Sequence, residues 1–144
     1  MPPRIVLDTS VLVAALLRAR EGAACSRVLR LCLQGRCQPL MGAKLFLEGE
    51  SVLARPVLFR RCPLSSAERH EFFAGFAAVC EWVPVYFLWR PNLPDEGDNH
   101  VLELAVAGRA GSIVTQNIRD FRRAELRFPG IAVLTPEEFL QTVH

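Results

Sequence analysis

Residues 4–7, Arg-Ile-Val-Leu, make a short apolar run that stops at a carboxylate, Asp8. Four residues are too few for a helix, and a brief apolar run bounded in this way reads as a buried strand. A helical stretch, Ser10–Leu17, follows at once and is apolar nearly all round. The same alternation runs down the chain. Gly22–Gln34 sets Ala24, Val28 and Leu31 at helical spacing, and Gly35 is a fitting C-terminal stop. Gln38–Met41 is a second candidate strand, and Ala43–Arg55 a helix closed by Pro56. Ser65 with Glu68 three residues on has the capping-box pattern and opens a helix through Cys80. Trp82–Tyr86 is a third strand and Asp98–Gly108 a helix, with loops at Val57–Pro63 and Arg90–Gly97. Ser112–Thr115 and Ile131–Leu134 are the fourth and fifth strands. Thr135-Pro-Glu-Glu starts a last helix, with Thr as N-cap and Pro at the first helical position. Strands separated by helices imply a parallel sheet with helices on both faces, so the expected fold class is α/β.

Composition narrows the setting. At 144 residues the chain reads as one domain, 1–144, and an apolar fraction of 51% against 22% charged residues argues against disorder. No apolar stretch approaches the roughly 20 residues that span a bilayer. The N-terminus resembles a signal peptide in outline, but Asp8 interrupts its apolar run, which favours a core strand and helix. Five cysteines (25, 32, 37, 62 and 80) form no C-x-x-C pair and lie among apolar neighbours. They read as buried free thiols of a reducing, cytoplasmic setting. The net charge of +2 does not by itself announce a nucleic-acid partner. The basic residues are sixteen Arg and one Lys, Lys44, a bias as consistent with a GC-rich genome as with phosphate binding.

The chemistry lies in the acids. The four Asp are 8, 95, 98 and 120, and each falls just beyond the carboxyl end of an expected strand. In an open parallel sheet those ends share one edge, where ligands bind. Carboxylates gathered there repel one another and stay ionised together only beside a cation. Oxygen donors of this kind suit Mg²⁺ or Mn²⁺, which activates water and neutralises charge building on a phosphate. Each acid also has a plain structural reading. Asp8 would cap the helix near Ser10, Asp95 the helix near Asp98, Asp98 would favour that helix's dipole, and Asp120 would sit in a turn. The set is harder to explain away. Asp98 shares a stripe with Val101, Leu102 and Ala105, and Asp8 follows a strand that looks central, where an unpaired acid is costly. Helical spacing does not choose between Glu48 and Glu50, which alone read as solvated.

Four segments together resemble the PIN-domain family. Ile5-Val-Leu-Asp8-Thr9-Ser10 is similar to its opening motif, and Leu47-Glu48 through Val52-Leu-Ala-Arg-Pro56 to its second. Asp95-Glu-Gly-Asp98-Asn99 with Val101-Leu-Glu-Leu-Ala105 resembles the third, and Ile113-Val-Thr115-Gln-Asn117-Ile-Arg-Asp120-Phe121 the fourth. The ending Val133-Leu-Thr-Pro-Glu-Glu-Phe139 is similar too. Any one motif is weak, but four in order over nearly the whole chain are not. The resemblance selects Glu48 over Glu50. It implies a three-layer α/β/α sandwich with five parallel strands in the order 3-2-1-4-5. It also implies a Mg²⁺- or Mn²⁺-dependent endoribonuclease acting on single-stranded RNA, as the toxin of a type II toxin–antitoxin pair (VapC-like), with an antitoxin partner and frequent homodimers.

Carried over by position, Asp8 and Asp98 are the principal metal ligands and Glu48 binds metal through water or orients the attacking water. Ser10 supports Asp8, and Thr115 lines the site. The fourth position departs from the acidic pattern, because Asn117 stands where many relatives have Asp. Asn supplies one neutral carbonyl oxygen, so Asp120 is favoured as the fourth acid with Asn117 nearby. Arg119, Arg122, Arg123 and Arg127 follow this motif and are candidates for RNA phosphates, though a solvated turn explains them as well. Arg55, Arg60 and Arg61 are a less well-placed group. His70, His100 and His144 show no triad or metal spacing, and His100 reads as an exposed helix residue. Leu58, Phe59, Phe72, Phe73 and Phe76 read as core before dimer face or antitoxin groove. Two rivals remain. A phosphohydrolase with Asp8 as nucleophile would want an Asp at position 10, which is Ser, and a Lys other than Lys44. A non-catalytic RNA-binding or scaffold PIN domain has no evident use for the acids.

Overall fold

The computed structural model describes residues 2–17, 22–85, 99–121 and 128–143. Five strands, β1 (Arg4–Leu7), β2 (Gln38–Met41), β3 (Glu81–Trp82), β4 (Ser112–Val114) and β5 (Ala132–Leu134), form one sheet in the order β3-β2-β1-β4-β5. Every pairing is parallel. The helices are α1 (Thr9–Leu17), α2 (Gly22–Leu33), α3 (Ala43–Leu53), α4 (Ser66–Val79), α5 (Asn99–Ala107) and α6 (Pro136–Thr142), and residues 118–121 are also helical. The arrangement is the three-layer α/β/α sandwich that the alternation of short apolar runs and helices requires. Among the described residues no helix is long and apolar enough to cross a membrane.

The order of strands positions the site. From β1 the chain steps outward through β2 to β3, then returns to the other side of β1 for β4 and β5. Between β1 and β4 the direction of winding reverses, and such a switch point leaves a crevice at the carboxyl ends of the two strands. Both strands are central and their side chains are almost wholly buried, as expected of parallel strands covered on both faces. Register aligns Leu7 with Val114, so Asp8 and Thr115, the next residue in each strand, emerge side by side.

Local chemistry explains most element boundaries. Gly35 takes a φ of 75°, and the turn after α2 is a Schellman motif: Arg36 N–H donates to Leu31 O at 2.9 Å and Gly35 N–H to Cys32 O at 3.1 Å. Ser65–Glu68 and Thr135–Glu138 form complete capping boxes at α4 and α6. The third strand is shorter than the expected Trp82–Tyr86. Pro84 has no N–H to offer the ladder, which ends after Val83 donates to Met41 O at 2.9 Å. Tyr86 lies outside the described residues. The α3 helix stops at Leu53 and not Arg55, consistent with Pro56 disfavouring helical backbone before it. Arg69, a buried cation unmarked by any motif, finishes α3: its Nε donates to Leu53 O at 2.8 Å while the guanidinium lies 4.5 Å over the Phe59 ring. The thiols Cys25, Cys32, Cys37 and Cys80 are buried and unbridged. Burial pushes Cys25 up to about 11 and Cys80 up to about 12, so neither is a nucleophile at neutral pH.

Phe59, Phe73 and Phe76 are core residues, as expected; Leu58 is more than a third exposed. Phe73 stacks on Phe46 and fills the space over Gly49, joining α4 to α3. A methyl at position 49 would come within 2.3 Å of the Phe73 ring. Alanine is the better helix former by up to about 1 kcal/mol, but overpacking a filled core costs roughly 1–3 kcal/mol. Gly49→Ala is therefore expected to lower the urea midpoint; an equal or higher midpoint would mean that α4 gives way freely.

Candidate active site

Asp8 is 4% exposed, an acid set among Ile5, Val6 and Leu7 at the end of the central strand. Its backbone continues the sheet, with Asp8 N–H donating to Val114 O at 3.0 Å, while its carbonyl accepts from Val11 N–H at 3.0 Å as α1 begins. Two hydroxyls hold the carboxylate. Ser10 Oγ and Thr115 Oγ1 each donate to Oδ2 at 2.8 Å. Both hydroxyls are themselves fixed, since Ser10 Oγ accepts from Gln116 N–H at 3.1 Å and Thr115 Oγ1 accepts from Asn117 N–H at 2.9 Å. The opening of α1 and the turn after β4 are thus locked together through one carboxylate.

An open cleft of about 520 Å³ lies over this point. Asp8, Glu48, Asp120 and Asn117 all line it, drawn from β1, α3 and the turn and helical residues after β4. The structure thus brings together, in one cleft, four of the oxygen-bearing side chains singled out in the sequence. Ser10 lines it too, and Thr115 lies beneath, wholly buried. Of the two glutamates on α3, Glu48 lines the cleft with Asp8. Its charge helps to raise the Asp8 carboxyl, so the two acids feel one another across the opening. Arg119 is exposed and lines an adjoining hollow with Asn117 and Asp120. Asp95, Asp98, Arg122, Arg123 and Arg127 lie outside the described residues. Among the described residues no group of three His, Cys, Asp or Glu side chains is arranged to hold a metal ion. The donors that are present are carboxylate and amide oxygens, the set that a hard divalent cation takes.

His100 is corrected. It is not an exposed helix residue: its side chain is 12% exposed, and Nε2 meets Glu48 Oε2 at 2.5 Å. The cause is the packing of α5 against β1, β2 and β4, which turns its first residues toward α3. No motif or spacing pointed to this pair. The cleft's apolar side was also missed. Val13, Ala14 and Leu17 of α1, with Val52 of α3, line it. A signal for them was present, because a helix apolar nearly all round has more apolar surface than one core-facing stripe needs.

The fold and site define a class before they define a family: an α/β protein with an acidic, oxygen-rich cleft at the switch point of a parallel sheet. A family model described as PIN domain matches residues 4–119, and the chain belongs to the PIN-domain family. PIN domains are in general nucleases, so this is a nuclease-type fold. The matched region takes in Asp8, Ser10, Glu48, Thr115 and Asn117 and ends one residue before Asp120. No curated protein matches the chain.

Burial raises the Asp8 carboxyl above the ordinary carboxylate range, against the Ser10 and Thr115 hydrogen bonds, which favour the ionised form, and with the repulsion of Glu48. The folded protein holds this proton more tightly than the unfolded chain. The corresponding stability is complete below the ordinary carboxylate range and is lost as pH rises through the raised value. Asp8→Asn keeps a carbonyl oxygen for the two hydroxyls and removes the buried charge. In a chelator at neutral pH it is expected to melt at a higher temperature than the parent, with the gain vanishing in acid. A variant that melts lower at neutral pH would mean that the charge is well compensated in the fold.

Proposed function

We propose that this chain is a Mg²⁺- or Mn²⁺-dependent endoribonuclease that hydrolyses phosphodiesters of single-stranded RNA. The observation that carries this reading is a buried carboxylate, clamped by two hydroxyls, at the base of a cleft lined by further oxygen donors. An ionised acid costs stability in such a place unless a cation shares it. The expense is understandable where that cation does the chemistry.

In this reading Asp8 and Asp98 would hold the metal, and Glu48, Asp120 and Asn117 would supply the further oxygen donors of the cleft. When bound, the cation supplies a Lewis acid that lowers the pKa of water and offsets charge on the phosphate. The protein's own contribution is positioning. Ser10 and Thr115 fix the Asp8 rotamer, and the Gln116 and Asn117 N–H groups fix those hydroxyls in turn. Glu48, held by His100, orients water and takes its proton. The apolar side formed by Val13, Ala14 and Leu17 limits the water that reaches the phosphate. Arg119 accepts a neighbouring phosphate, and Arg122 and Arg123 are assigned the same part.

The rest of the reading follows from the resemblance: a single-domain cytoplasmic toxin of a toxin–antitoxin pair, with an antitoxin protein and a homodimer as partners. The exposed Leu47, Val57, Leu58 and Trp82 support an apolar contact with one of them. The rival reading is a non-catalytic RNA-binding or scaffold PIN domain. Titration with Mn²⁺ separates the two, since a scaffold has no use for the ion.

Asp8→Asn, Glu48→Gln and Asp98→Asn are expected to abolish Mn²⁺-dependent cleavage of single-stranded RNA. If Asp8→Asn and Asp98→Asn leave cleavage intact, the mechanism is wrong. Thr115→Val and Ser10→Ala, which act through Asp8, are expected to lower metal affinity or activity about 10–100-fold. Substituting Arg119 by Ala should weaken RNA binding and reduce its salt dependence by about one phosphate contact; an unchanged slope rejects its phosphate role.

A further inference from the structure

Beside the acidic cleft lies a second cavity, smaller and more enclosed, of about 200 Å³. It opens at the start of α3, beyond the ends of β2 and β3, and the first turns of α5 close its back. Leu45, Val83, Pro84, Val85 and Leu104 make its apolar sides. Into this lining comes Glu103, a charged residue only 3% exposed. Among the described residues it has no hydrogen-bond or ion-pair partner. A carboxylate set in an apolar lining gains from a group that donates to it. The cavity it lines is the place for that donor.

The two cavities share one residue. His100 lies one helical turn before Glu103 on α5 and lines the smaller cavity, while its Nε2 bonds Glu48 in the cleft. Nδ1 of the same ring is buried without a partner among the described residues. A chain whose phosphate lies in the cleft therefore has the small cavity one side chain away. Lys44, exposed at the cavity's mouth, is the chain's only lysine and offers a cation on that path.

We propose that this cavity is a base pocket that selects guanine at the nucleotide next to the cleaved phosphate, with Glu103 as the specificity-determining residue. The inference rests on the reading that the cleft takes RNA. The volume suits one base; pockets for drug-sized ligands run to roughly 300–1,000 Å³. Apolar sides suit the faces of an unstacked base, which single-stranded RNA can present. The edge is chosen by Glu103. An ionised carboxylate only accepts, and its two oxygens match two parallel donors. Guanine alone presents such a pair, N1–H and N2–H, on its Watson–Crick edge. Adenine and cytosine each offer one amino group beside a bare ring nitrogen, and uracil one N–H between two carbonyls that the carboxylate repels.

The test is titration of the whole chain with GMP, AMP, CMP and UMP in a chelator, followed by nuclear magnetic resonance, so that neither metal nor catalysis enters the readout. GMP is expected to bind at least about tenfold more tightly than the other three. Glu103→Gln, which keeps the shape and loses one acceptor, should remove that preference. Ala43→Trp, at an exposed position on the rim, should weaken GMP binding without touching the core. Equal binding of all four nucleotides, or a preference that survives Glu103→Gln, overturns the proposal. Cleavage of RNA with no base preference altered by Glu103→Gln overturns it while leaving the nuclease reading in place. Selective GMP binding by a chain that cuts no RNA supports the pocket and sinks only the reaction.

Discussion

The structure is organised around a carboxylate buried where charge is unwelcome. Asp8 sits at the end of the central strand because parallel winding reverses there, and because Leu7 and Val114 pair in register. Two hydroxyls offset part of the cost by donating to one of its oxygens. Those hydroxyls are not free to turn elsewhere, since backbone N–H groups of the turn after β4 hold them. The sheet, the first helix and that turn therefore meet at one atom. A change in any of them is felt as a change in where a negative charge lies, which is the property a cation or phosphate would detect.

The fold was largely legible because its signals are local and repeated. Each strand is a short apolar run, each crossover an amphipathic or capped helix, and the hand of parallel crossovers leaves few topologies open. Ser65–Glu68, Thr135–Glu138 and Gly35 announced their boundaries through chemistry that involves only near neighbours. The strand at Trp82 was overrun for the opposite reason. Val83 and Val85 have strand-forming side chains, but one missing N–H at Pro84 outweighs them.

The site was legible only in part, and the division is physical. Asp8, Asp120 and Asn117 could be placed at one edge because topology alone puts them there. Glu48 stands on a helix, where rotation decides which way a residue faces, and helical spacing did not resolve it from Glu50. His100 could not be found, since its role depends on the tertiary approach of α5 to α3. The same holds for Glu103, whose sequence position resembles any helix glutamate and whose place in an apolar lining appears only when the cavity around it is seen. Pairings across elements, unlike caps and turns, leave no trace in nearest neighbours.

The contact between Gly49 and the Phe73 ring has a further consequence. Glu48 precedes Gly49, so the tilt that carries its carboxylate into the cleft is held from behind by α4, a helix that lends the cleft no side chain. Positions 49 and 73 should then drift as a couple among relatives: a larger residue at one obliges a smaller one at the other. Evolution on the far side of the molecule has a lever on the acid's reach, one that leaves every cleft residue in place.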